Sequence, residues 1–439
     1  MIKPMIMDAG KEITAEIVKD YIKQHEVECV RYKRLEKLYV GEHEILTQDK
    51  KETHKPDNRL IVNFAKYITD TFVGFFIGIP IKKKYVNEKE EAAKSVKELI
   101  QQFDDEIDAE DGEYELAKMA CIYGRAYEYA YQTEDGTTKV IYNSPLDMFV
   151  VYDDTVEQNP LWACRYSKTE DNIKAQVFTL QLEYALNNDL LTEVKKNIYG
   201  KLPIYEFIHN EERMSIFEPV ESLINAMNKG FSEKANDVDY FADAYLAILG
   251  ADLDDNGVMR IKDNRIINLS GGDDAAKIVV KFLEKPNADT TQENYLDRLE
   301  RFIYHISMVA NISDETFGSS SGTALAYKLQ AMSNLALTMQ RKFVASLKNR
   351  YELFFSLQTN VPVNLSREWK SIEYAFTENM PRNILEETTI ARNLEGVVSK
   401  ETQLSALSIV PDVKTEIQRM ENEDKKTSVY DNASKASDE

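Results

Sequence analysis

Cysteine is scarce. The 439 residues hold three, Cys29, Cys121 and Cys164, spaced far apart. That excludes a disulfide framework and a paired zinc knuckle, and it fits a reducing compartment. Long apolar runs are missing too. The most apolar stretch, residues 71–81, is far short of the roughly 18–20 residues that a spanning helix needs, so it reads as buried core. Residues 1–10 lack the basic-then-apolar pattern of a signal peptide. Positive charge is in deficit, with 54 Lys+Arg against 75 Asp+Glu and a net charge of −21. Such a balance opposes gripping nucleic acid by neutralising phosphates. It does not oppose handling nucleic acid without gripping it. No Gly-x-x-x-x-Gly-Lys-Ser/Thr loop is present, so no phosphate cradle of that kind is expected. No basic face interleaved with aromatics appears either, which argues against base stacking.

What remains suits a folded protein. Hydrophobic residues make up 43% and charged residues 29%, values of globular domains; the length suggests about three units. Residues 11–40 read as a helix carrying Ile17, Tyr21, Val27, Val30, Leu35 and Leu38, stopped by Gly41. Residues 61–79 read as an apolar helix ended by Pro80, and 87–111 as a solvated helix and loop. Residues 120–210 are β-rich. A hairpin pairs 127–131 with 139–142 across Glu134-Asp135-Gly136, and further strands fall at 148–152, 161–166, 176–180 and 204–208. From 218 to 249 one apolar stripe of helical period runs through Val220, Ile224, Met227, Phe231 and Val238 to Leu249. Its polar face is acidic, with Glu221, Glu233, Asp237, Asp239 and Asp243. Short β-prone runs lie at 258–261 and 278–283. Thr290 and Glu293 match a capping box, opening a helix to about 309. Residues 311–323 form a Ser/Gly-rich break before a helix of about 35 residues, roughly 50 Å long. A helix of that length is hard to bury within one copy. A strand at 369–377, helices at 385–398, 399–407 and 412–423, and a polar tail at 424–439, read as disordered, complete the layout.

Four motifs invite chemistry. Residues 318–322 match Gly-x-Ser-x-Gly, but a nucleophile elbow needs a strand before it and a His after its Ser. Here a helix precedes Ser320, and the last His is His305. Asp252, Asp254 and Asn256 start a calcium-loop pattern whose twelfth position is Asp263 where a bidentate Glu is wanted; it is a weak calcium candidate. His25 and Cys29 share a helix face, but no second pair completes a metal site. Lys82, Lys83 and Lys84 read as a solvated basic patch. No catalytic residue, metal or cofactor is expected.

Several segments also carry a family pattern by their order and spacing. They are 31–41 (RYKRLEKLYVG), 58–68 (NRLIVNFAKYI) with 76–80 (FIGIP), 228–236 (NKGFSEKAN), 241–246 (FADAYL), 295–304 (YLDRLERFIY), 321–325 (SGTAL), 399–402 (SKET) and 410–412 (VPD). From about residue 31 to 423 the chain resembles the portal (head-tail connector) proteins of tailed bacteriophages with long non-contractile tails. The resemblance implies an α+β, mainly α, portal fold with a β-rich wing, a two-helix stem, a small α/β clip, a long linking helix and a short helical crown. By position, 1–217 and 359–384 correspond to the wing, 218–249 and 289–311 to the stem helices, 250–288 to the clip, 312–322 to the tunnel loop, 323–358 to the linking helix and 385–423 to the crown.

It further implies a non-enzymatic, dodecameric ring at one capsid vertex, through which double-stranded DNA passes without sequence readout. Implied partners are the terminase large subunit, a head-tail adaptor, and the major capsid and scaffold proteins; no membrane is implied. Such a ring is assembled in the host bacterial cytoplasm and resides in the virion. The implied DNA-channel loop is Asp314, Glu315, Thr316, Phe317, Gly318, Ser319, Ser320, Ser321 and Gly322, next to an acidic stem face of Glu233, Asp237, Asp239 and Asp243. The alternative is an oligomeric helical adaptor or scaffold protein without a DNA channel.

Overall fold

A computed structural model describes residues 4–52, 55–86, 90–169, 172–242, 246–249, 279–282, 289–313, 322–379, 384–407, 409–410, 413 and 415–422. Its elements mix helix and sheet. Strand β1 (Met5–Met7) precedes helices α1 (Ala15–Val40) and α2 (Phe64–Ile77), strand β2 (Lys82–Tyr85), and helices α3 (Glu90–Ile107) and α4 (Ala109–Tyr123). Then come β3 (Arg125–Gln132), β4 (Thr138–Asn143), β5 (Met148–Asp153), β6 (Pro160–Lys168), β7 (Ile173–Thr179), β8 (Leu182–Asn187), β9 (Leu190–Lys196) and β10 (Ile204–Ile208). Helix α5 (Glu221–Ala242), strands β11 (Leu246–Leu249) and β12 (Val279–Phe282), helices α6 (Asp289–Ser307) and α7 (Gly322–Ser356), strand β13 (Ile372–Ala375), and helices α8 (Ile384–Asn393) and α9 (Lys400–Ser405) follow.

The β-rich part holds two sheets. One runs β1-β5-β6-β7-β8-β9, antiparallel except for the parallel β1-β5 edge; the other runs β10-β3-β4. The expected hairpin is there, with Tyr131 opposite Lys139 and Tyr127 opposite Asn143. Strands β8 and β9 are additional: Leu190–Lys196 is exposed along most of its length, and Leu182–Asn187 is half-buried on both faces, so neither shows a buried alternation. A further pair, β13-β2, ties the segment after α7 back to the strand that follows α2.

Helix α1 begins at Thr14, whose side chain accepts from the Ile17 amide, and ends at Gly41, which takes a left-handed φ of 94° that suits glycine. Its buried seam is Val18, Ile22, His25, Cys29, Tyr32, Leu35 and Leu38. Val27 and Val30 of the expected stripe face solvent instead. The seam recruits His25 and Cys29, which a purely apolar reading passes over. The 71–81 stretch is core, as expected: Phe72, Val73, Phe75, Phe76, Ile77 and Ile81 are buried. Each fully buried side chain of this kind contributes about 1.5–3 kcal/mol. The helix stops at Ile77 with Gly78 as its cap, ahead of Pro80.

Three other expectations need correction. The solvated helix at 87–111 is amphipathic, since α3 buries Val96, Ile100 and Phe103 against Tyr351, Phe354 and Phe355 of α7. The helix expected over 218–249 ends at Ala242, and Leu246–Leu249 pairs instead with Val279–Phe282 as an antiparallel ribbon. Two short apolar runs satisfy each other's backbone groups this way. Helix α6 starts at Asp289, so Thr290 lies inside it rather than capping it, and it ends at Ser307, short of 309 and 311. The 35-residue helix is present as α7. Its second half sits deepest, through Phe343, Leu347, Arg350, Tyr351 and Phe355.

Candidate functional site

Helices α5 and α6 pack antiparallel. Gly230 faces Leu296, Lys234 pairs with Glu293, and Gln292 donates to Asp237 at 3.2 Å. Gly230 sets the spacing: a Cβ there would lie 2.8 Å from Leu296 Cδ2. Farther down, Val220 just before α5, with Ile224 and Met227 of α5, shares one core with Leu296, Leu299 and Ile303 of α6.

The opposite side of α5 carries a ladder that was not anticipated. Asn228, Ser232 and Asn236 are buried. They accept from the backbone amides of Val62 (2.8 Å), Leu60 (2.9 Å) and Asn58 (2.6 Å). The match is geometric. Alternate amides of an extended segment recur every ~6.6 Å, and every fourth helix residue recurs every ~6.0 Å. Asn228 Nδ2 also meets His43 Nδ1 at 3.1 Å. The signal was present as three small polar residues at i, i+4 and i+8 in an apolar helix. Both partners lie in segments that carry the resemblance, but nothing in the chain order says that they face each other.

The proposed acidic face is largely engaged within the chain. Glu233 accepts from Lys51 at 2.7 Å, Asp239 from Asn58 at 2.5 Å, and Asp237 from Gln292. Each of these carboxylates thus already has a partner within the chain. Asp243 lies outside the described residues. So do Asp252, Asp254, Asn256 and Asp263, and also Asp314, Glu315, Thr316, Phe317, Gly318, Ser319, Ser320 and Ser321. Gly322 is the first residue of α7. A helix, α6, does precede the Ser/Gly-rich segment.

Charge pairs tie the foot of α5 to α1, and α7 to α4 and β3. At the foot of α5, Arg31 forks onto Glu218, and Arg34 reaches Glu221 at 3.1 Å. Burial alone would raise the Glu218 carboxyl, but Arg31 more than offsets it and holds it below the usual range. On α7, Arg350 donates to Glu128 at 2.7 and 2.8 Å and to Glu113 at 2.5 Å. Burial works against that charge, yet the two carboxylates hold the guanidinium well above its ordinary value. Lys83 joins through Glu113 at 3.0 Å and Asp104 at 3.2 Å. This corrects the reading of Lys82, Lys83 and Lys84 as a solvated patch: Ile81 just before strand β2, and Lys83 and Tyr85 on it, alternate inward, while Lys82 and Lys84 stay exposed. A second cluster holds Glu206 below the usual carboxylate range. Burial would raise it, but Arg125 and Arg213 prevail.

His25 and Cys29 do meet, with Sγ 3.5 Å from Nδ1, and Tyr166 Oη lies 2.8 Å from the same nitrogen. All three sit in the core and read as packing. Burial pushes the Cys29 thiol up to about 11, so it is no nucleophile. Among the described residues, no group of three or more His, Cys, Asp or Glu gathers to hold a metal ion. Among them, too, no helix is long and apolar enough to cross a membrane.

The profile of the family described as "Phage portal protein, SPP1 Gp6-like" matches residues 18–430. The chain belongs to that family of phage portal proteins. Among curated proteins, the portal protein of Bacillus phage SPP1 is 23% identical over 453 residues, covering 96% of this chain and 86% of that one. The portal protein of Clostridium phage phiCD119 is 20% identical over 426 residues, covering 90% of each. Among solved structures, the neck of a native GTA particle computed with C12 symmetry aligns with a TM-score of 0.46 at 12% identity, over 78% of this chain and 89% of that one. The portal match spans the β-rich part, the α5–α6 pair and α7 alike.

Proposed function

We propose that copies of this chain close into a ring, a dodecamer, at one capsid vertex. Double-stranded DNA is packaged and ejected through its channel. The observation that carries this reading is the portal-family match, which runs nearly end to end through residues 18–430. In this reading α5 and α6 are the stem, and β11 and β12 belong to the clip, where terminase and then the head-tail adaptor dock. Residues 312–322 are the tunnel loop, α7 links wing to crown, and the residues up to 217 with 359–384 are the wing. The protein itself is structural; a separate terminase ATPase supplies the energy.

The physics supports a conduit. Firm phosphate contacts would brake a sliding polyanion. A net charge of −21, and a loop with Asp314 and Glu315 but no Lys or Arg, suit a channel that touches DNA weakly. Contact through Ser319, Ser320 and Ser321 would be loose and independent of sequence.

Two measurements test this. Negative-stain microscopy with a mass measurement should show rings with an open lumen. Twelve copies of 50.5 kDa total about 606 kDa. A compact dimer or tetramer without a hole overturns the ring and favours a helical adaptor or scaffold role. Deletion of residues 318–322 should leave rings intact and lower packaged DNA about tenfold or more, if contacts there guide translocation. Normal packaging by that variant removes the loop from the mechanism.

A further inference from the structure

The α5–α6 pair leaves two apolar strips uncovered, on opposite sides. Helix α5 turns Gly230, Lys234 and Asp237 toward α6 and Asn228, Ser232 and Asn236 toward the 58–62 segment. At about 100° per residue, Phe231 and Val238 fall between those two covered sides, a quarter-turn from α6. They continue the stripe of Val220, Ile224 and Met227, which is fully buried lower on the helix, yet Val238 is 62% exposed.

Helix α6 turns Leu296, Leu299 and Ile303 inward. Tyr295, Phe302 and Ile306 fall a quarter-turn away and are 52%, 43% and 48% exposed. The two quarter-turns have opposite sense along their own chains, and the helices are antiparallel. The strips therefore face opposite sides of the pair.

Their charges differ in the same way. By the same helical geometry, Asp297 joins the Phe231 side, whereas Arg298 and Lys229 join the Tyr295 side. Glu293 and Glu233, one on each side, are already paired with Lys234 and Lys51. Arg301 and His305 lie on the edge away from α5. One side is thus apolar and acidic, the other apolar and basic.

We propose that these two sides bind each other between copies. The Phe231–Val238 side of one copy packs on the Tyr295–Phe302–Ile306 side of the next, with Asp297 toward Arg298 and Lys229. Two different, complementary patches on opposite sides make a head-to-tail contact, which closes into a ring when its rotation closes. The aromatic side chains are the anchors, and the charges set the register. The assignment rests on the ring reading above and names the surface that builds it.

The test uses the full chain. Val238→Glu and Phe302→Glu are made separately and weighed by native mass spectrometry beside the wild type, with circular dichroism as the check on folding. Each substitution is at an exposed position and should keep the helical signal while lowering the ring fraction about tenfold or more. Mixed one to one, the variants should form a heterodimer and nothing larger, because each keeps the strip that the other has lost. Rings from either variant at the wild-type level overturn the proposal, and so does a mixture that stays monomeric. If a variant loses its helical signal, Arg298→Asp replaces it; that change leaves the apolar packing alone and should still lower the ring fraction several-fold, and an unchanged fraction overturns the proposal. Wild-type rings alongside variant rings would sink this surface alone. A wild type that never forms rings would sink the ring reading, and this surface with it.

Discussion

Around Arg350 the β-rich part buries a guanidinium between two carboxylates, whereas along α5 the buried polar groups are the neutral Asn228, Ser232 and Asn236. The two choices have different consequences. A buried charge network tolerates one arrangement, because removing a partner strands an uncompensated charge. Neutral amides and hydroxyls cost less to disturb, and small residues such as Gly230 let helices approach closely. The first chemistry suits a body held in one arrangement. The second suits a slender pair whose outer faces are left for other contacts.

The contrast is sharpest at Arg350. Arg350→Met should destabilise the β-rich part by about 3–5 kcal/mol, because Glu128 is left buried without its guanidinium and Glu113 keeps Lys83 alone. Urea unfolding followed by the fluorescence of Trp162 and Trp369 reads this. A shift under about 1 kcal/mol would mean that the network is not the clamp described here.

Acid should act on the same region. Burial lowers His25 and His209 to about 4, from an ordinary value near 6.5. Both are neutral in the folded state, and the unfolded chain binds their protons more readily. The stability they protect is full above about pH 6.5 and is lost as the pH falls toward 4, roughly 3 kcal/mol for each. The Glu206 and Glu218 carboxyls, held low by arginines, add to the loss on further acidification. Urea midpoints at pH 7 and pH 5 check the sign; equal midpoints contradict it.

The smallest effect is expected in the helix pair. Asn228→Ala removes the acceptor of the Val62 amide and the partner of His43. A loss of about 1–3 kcal/mol follows, the usual cost of stranding buried polar groups. Hydrogen exchange should quicken across residues 58–62 and stay unchanged in β3 and β10. Uniform quickening would mean that the two regions unfold as one.

Much of the fold was legible beforehand. The hairpin at Gly136, the helix ending at Gly41, the buried run at 71–81 and the 35-residue α7 follow from turn residues, caps and period. The failures share a cause. Val27 and Val30 look as apolar as Leu35, and Lys83 looks as soluble as Lys82; the facing element decides which is buried. The candidate site was less legible. Glu233, Asp237 and Asp239 were legible as acidic positions of one helix, but helix spacing says nothing about Lys51, Gln292 and Asn58, with which they pair.

By itself, then, the sequence determined the order of elements, the lack of long apolar runs, the excess of negative charge and the portal-family pattern. Those properties are carried by covalent neighbours and by composition. Tertiary structure alone decided that Asn228, Ser232 and Asn236 grip the 58–62 segment, that Arg350 closes onto Glu113 and Glu128, and that the two apolar strips of the helix pair look opposite ways. Each joins residues far apart along the chain, and only packing, through matched spacings and shared burial, brings them together.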